Sequence, residues 1–119
     1  MIYDDIGKGL RDSFRHIENA RNDINLRKDS EQAKAEFKIA YQEIFQLMGL
    51  LNKSKNTYPE LKSTLDKLKA LHDKTLFDTI RKIGIISNTE LSAICQLVEG
   101  IITKEIIRMD QLKKKNIAA

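Results

Sequence analysis

The sequence holds one cysteine, one proline, five glycines and no tryptophan. A lone Cys95 excludes a disulfide framework and a cysteine-rich zinc site, both of which need thiols in sets. So few chain breakers beside 32% charged residues exclude a turn-rich β-sandwich and favour helices. No apolar run reaches the roughly 18 residues that a membrane-crossing helix needs. Met1-Ile2-Tyr3-Asp4-Asp5 lacks the basic and apolar regions of a secretory leader, so a cytoplasmic location is expected. There is no glycine-rich phosphate loop, no nucleophile elbow and no carboxylate–His metal motif. No catalytic residue, metal ligand or cofactor is therefore expected. The four Phe and three Tyr do not interleave with basic residues as in a single-strand binding platform.

What the 119 residues do contain is a 41% hydrophobic fraction arranged in four helical stripes. The first is Tyr3, Ile6, Leu10, Ser13, Ile17, Ala20 and Ile24, with spacings that alternate three and four as in a bundle seam. The second opens at Asp29-Ser30-Glu31-Gln32, which resembles a capping box. Its stripe is Ala33, Phe37, Ala40, Tyr41, Ile44, Phe45, Leu47, Met48 and Leu51, broad enough to pack against two neighbours. The third starts at Thr57-Tyr58-Pro59-Glu60, another capping box with the proline in the first turn. It carries Leu61, Leu65, Leu68, His72, Leu76, Ile80 and Ile83, and Gly84 fits the stop position after it. The fourth starts at Ser87-Asn88-Thr89-Glu90, with Ile86 and Leu91 placed to form a hydrophobic staple. Its stripe runs through Leu91, Ile94, Cys95, Val98, Ile101, Ile102, Ile106, Met109 and Leu112.

Four such helices, roughly 3–27, 30–52, 58–83 and 88–113, predict an all-α, antiparallel up-down-up-down four-helix bundle. Residues 1–119 read as one domain, with a short basic tail, 113–119, expected to fray.

Net charge is +4, and the Lys113-Lys114-Lys115 run supplies most of that excess. Elsewhere both signs are interspersed, the pattern of solvated helix faces. Lys8, Arg11 and Arg15 form a basic stripe which, with Lys113, Lys114 and Lys115, offers candidate phosphate contacts for non-specific nucleic-acid binding. The tight link Gly84-Ile85-Ile86-Ser87 invites a helix-turn-helix reading. The flanking helices are too long for it, and only Asn88 and Gln96 there could read bases.

Arg11-Asp12-Ser13-Phe14-Arg15-His16 resembles the short Arg-x4-His motif of HEPN ribonucleases over these six residues alone. The resemblance implies that Arg11 and His16 act on RNA across a dimer. An i,i+5 pair on a straight helix lies about 140° apart, so the two would diverge within one chain. In size, charge and helix count the chain also resembles the immunity proteins of small bacteriocins. Phage, plasmid and immunity proteins are often small interaction bundles of this kind.

Two polar residues interrupt apolar faces. His72 sits among Leu65, Leu68 and Leu76 and needs a hydrogen-bond partner such as a Tyr, a Thr or water. His16 is expected at a similar height, but two histidines without acidic partners on one face make a weak metal site. Glu105 breaks the fourth stripe and is expected level with Lys8 and Gly9 of the first helix and with Met48 and Gly49 of the second. There it would pair with Lys8, or reach water near the bundle end.

The last helix has apolar residues to spare. Ala93, Leu97, Gly100 and Ile107 lie about 100–180° from its core stripe. A helix apolar on two faces either lies deep in a core or has a partner on each side, and in a four-helix bundle the second face is exposed, where scattered apolar residues are also normal. The expected partner is another protein, a second copy of this chain, or both; nucleic acid is the second choice.

Overall fold

The computed structural model describes residues 1–118 and is all-helical. Helix α1 spans Ile2–Asn25 and α2 spans Ser30–Ser54. Helix α3 covers 59–81 in segments: a 3-10 turn at Pro59–Leu61, α-helix at Lys62–Leu71, a π turn at His72–Leu76 and α-helix again at Phe77–Arg81. Helix α4 spans Asn88–Ala118.

Side-chain pairs fix the antiparallel register. His16 meets Glu43 across α1 and α2, and Tyr41 meets His72 across α2 and α3. Thr64 meets Glu105 across α3 and α4, while Arg21 meets Glu99 across α1 and α4. The predicted up-down-up-down bundle is the observed one.

The predicted stripes form one core, with Phe37 buried at its largest side chain and Ile6, Leu10, Ile17, Ile44, Leu65, Leu68 and Ile102 around it. Small side chains (Ser13, Ala20, Ala33, Ala40) let α1 and α2 approach closely. The approach is tightest at Gly9, where a Cβ would stand 2.5 Å from Leu47 Cδ2.

Two of the three expected caps form. Asp29 accepts from the Gln32 N–H at 3.0 Å, and Ser87 accepts from the Glu90 N–H at 3.1 Å. Ile86 and Leu91 are both buried, as the staple requires. The third box does not form: Tyr58 is the N-cap, without a side-chain bond, and Pro59 starts a 3-10 turn. Glu60 instead accepts a hydrogen bond from the Tyr3 hydroxyl. Helix α3 stops at Arg81 with Lys82 as its cap, so Gly84 is not a left-handed stop; Lys28 is the residue with positive φ, at 55°.

The last helix runs to Ala118, past the expected end at 113, and residue 119 lies outside the described part. Lys113 pairs with Asp4 at 2.6 Å, which anchors the last turns against the start of α1. The position of α4 along α1 sets the level of Glu105.

Candidate functional site

Helix α4 shows two apolar faces. One is the core seam of Leu91, Cys95, Val98, Ile102 and Met109, all buried. The other consists of Ala93, Leu97, Gly100 and Ile107, and all four are exposed. Leu97 and Ile107 each keep 51% of their surface. With Lys104 between them the positions step four, three, four, three along the helix, the spacing of a coiled-coil seam. Ile94 and Ile101 flank the stripe, half-buried against the core. At its upper end the stripe runs into an open cavity of about 430 Å³ lined by Asn25, Lys28, Asn88, Ser92, Ala93 and Gln96. The four residues singled out from the sequence thus lie on one continuous, unpartnered face.

A second exposed patch was not legible in the stripes. Phe45, expected in the core, is 57% exposed, and Phe77 is 49% exposed. Both face His72, with ring centroids at 6.0 and 5.9 Å, and Tyr41 stacks on it at 5.5 Å. The π turn explains the displacement. The Phe77 N–H bonds to the His72 carbonyl, an i→i+5 step that adds one residue to the turn. Leu71 and Leu76, five apart, therefore both reach the core. His72 is left at the boundary with Phe77 outside it. Its Nε2 lies 3.0 Å from the Tyr41 hydroxyl, the kind of partner that its place on the stripe required. Its Nδ1 lies 3.0 Å from Asp73.

Glu105 is buried at 2% exposure, but Lys8 is not its partner. It accepts from the Thr64 hydroxyl at 2.8 Å and from Arg108 Nε at 3.0 Å. Lys8 pairs with Asp12 on its own helix, and no atom stands near Gly49 where a Cβ would lie. The register of α4 against α1 is the reason. Arg11 meets Asp110, so Glu105 lies beyond Arg11 along α1, well past Lys8.

The basic stripe is largely neutralised. Lys8 and Arg15 both contact Asp12, Arg11 contacts Asp110 and Lys113 contacts Asp4. Lys114 and Lys115 are exposed. Arg11 and His16 turn to different neighbours, Asp110 on α4 and Glu43 on α2. His16 lies between two carboxylates: its Nδ1 hydrogen-bonds Glu43 at 2.7 Å, and its Nε2 stands 3.9 Å from Glu36 Oε2, a buried oxygen with no hydrogen-bond partner. That geometry cannot chelate one ion, and among the described residues no group of three or more His, Cys, Asp or Glu side chains is placed to hold a metal. His16 and His72 face different helices and do not converge.

Two further polar contacts join helices, Arg21–Glu99 between α1 and α4 and Tyr3–Glu60 between α1 and α3. Arg21 grips Glu99 through two bonds, at 2.5 and 3.2 Å, which raises the guanidinium's affinity for its proton. Burial, with Glu60 beside it, pushes the Tyr3 phenol up to about 12. Burial, reinforced by Glu99, pushes the Cys95 thiol up to about 12. Such a thiol is inert rather than nucleophilic.

No described helix is long and apolar enough to cross a membrane. No protein-family model, curated protein or solved structure matches the chain.

Proposed function

We propose that the chain is a cytoplasmic, non-catalytic interaction protein: a small helical bundle that binds a protein partner through the outer face of α4. One observation carries this reading. Ala93, Leu97, Gly100 and Ile107 are exposed at seam spacing on a helix whose opposite face is already fully buried. Apolar residues scattered singly need no explanation, but a periodic face spanning four turns does. Only one formal charge, Lys104, interrupts it, and a lysine stem covers apolar surface while its ammonium reaches water. Nucleic-acid binding draws less support, because four of its six candidate cations already face carboxylates.

The test is photo-crosslinking in the cell of origin. A benzophenone side chain placed at Leu97 should give a discrete protein adduct, and the same group at exposed Lys69 on α3 should not. Adducts from Lys69 but not from Leu97, or from neither, would overturn the reading.

A further inference from the structure

We infer that the occupant of the α4 face is a second copy of this chain, packed antiparallel about a two-fold axis near Ile101 and Thr103. The inference rests on the proposed function above and adds the partner and its orientation.

The stripe is its own complement in only one direction. Run antiparallel and centred on that axis, Leu97 meets the partner's Ile107 and Gly100 meets the partner's Lys104. Ala93 meets the partner's Gln111. Small residues then face long ones at the Gly100–Lys104 and Ala93–Gln111 levels, and the two large aliphatics face each other. Nothing stands within 4 Å of where a Gly100 Cβ would be, so the partner's lysine stem has room to lie across the backbone. Its ammonium then reaches solvent at the rim.

A parallel, in-register pair fails on the same residues. Lys104 would oppose Lys104 with like charges in contact, and Gly100 would oppose Gly100 across a void. The flanks agree with the antiparallel choice. Gln96 approaches the partner's Asp110, Thr103 its own copy, and no two like charges meet. An isologous contact of this kind closes at two and does not propagate.

The seam from Ala93 to Gln111 is about 27 Å long at 1.5 Å per residue. One helix pair of that length lies at the small end of specific interfaces, below about 1,200 Å² in total. A weak, concentration-dependent dimer is therefore expected, forming at roughly micromolar to millimolar protein.

Disulfide trapping tests the arrangement. A disulfide requires Cα atoms within about 7 Å. Gly100→Cys and Lys104→Cys proteins are mixed under mild oxidation, each also being oxidised alone. The native Cys95 stays silent because it is buried and its thiol is pushed up to about 12. The mixture should cross-link at least about tenfold faster than either variant alone. Leu97→Asp introduced into both should abolish the trapping while leaving the helical circular dichroism unchanged. Faster trapping of each variant with itself would overturn the antiparallel pairing. No trapping, with a monomeric mass at about 1 mM, would overturn the second copy as occupant. In that case a heterologous adduct at Leu97 would still uphold the broader reading, so the two failures are distinguishable.

Discussion

Arg11 and His16, five residues apart on α1, are held against different helices: Arg11 Nη2 lies 2.7 Å from Asp110 of α4, and His16 Nδ1 lies 2.7 Å from Glu43 of α2. The HEPN-like spacing therefore does not assemble a ribonuclease site within one chain. In the antiparallel dimer proposed above, the axis would lie on the outer face of α4, not between the two α1 helices.

RNA incubated with the purified protein should accordingly remain intact, and an RNA gel checks this. Arg11→Ala should cost no more than about 1 kcal/mol, because both partners of its ion pair are half-exposed. Cleavage lost in both Arg11→Ala and His16→Ala would contradict this account.

Two glycines should respond to alanine in opposite directions. At Gly49 no atom lies within 4 Å of the new methyl, so Gly49→Ala should stabilise by about 0.5–1 kcal/mol through helix propensity. At Gly9 the methyl would stand 2.5 Å from Leu47 Cδ2 and 3.0 Å from its Cγ. Overpacking of about 1–3 kcal/mol should exceed the propensity gain, and Leu47→Ala should couple to it. Urea unfolding of the two single variants and the Gly9/Leu47 double-mutant cycle decides the matter.

Above neutral pH the protein should lose stability before the ordinary lysine range is passed. The Tyr3 phenol titrates near 10.0 when unfolded and at about 12 when folded. The Cys95 thiol moves from 9.0 to about 12. In both cases the folded state binds the proton more tightly. The stabilisation is complete below the unfolded value and is lost as pH rises towards 12. Thermal midpoints between pH 8 and 11 should fall, and Tyr3→Phe with Cys95→Ala should flatten the decline relative to its own midpoint at pH 8. An equal slope in both proteins would contradict the assignment.

Glu105 and Thr64 form a polar contact in the α3–α4 seam. Thr64→Val alone should cost about 1–2 kcal/mol by leaving a buried carboxylate oxygen with only Arg108 as partner. The double change Thr64→Val, Glu105→Leu should restore stability to near wild type or above, since an apolar pair of similar volume removes the need for satisfaction. Chemical denaturation of the three variants measures the coupling.

The four stripes, the caps at Asp29 and Ser87 and the spare face of α4 were legible in the sequence because each is a local pattern of period or spacing. Three features were not. The π turn depends on a five-residue step from Leu71 to Leu76, which a 3.6-residue reading absorbs by placing His72 in the core. The exposure of Phe77 follows from that turn, and Phe45 on α2 lies beside the same His72 ring. The level of Glu105 depends on how far α4 slides along α1, a register that the Asp4–Lys113 and Arg11–Asp110 pairs mark and that spans almost the whole chain. Local patterning carries no information about such a slide. The Arg21–Glu99 clamp was hidden for the same reason, since each residue alone reads as one more charge on a solvated face.

The central claim is our proposal that the outer face of α4 pairs with a second copy of this chain. Amide chemical shifts followed by NMR on dilution from about 1 mM to about 20 μM test it most directly. The account predicts progressive shifts at Ala93, Leu97, Gly100, Lys104 and Ile107, with Phe45, Phe77 and Lys69 unchanged. Shifts confined to the aromatic patch around His72, or no shift at any residue, would contradict it.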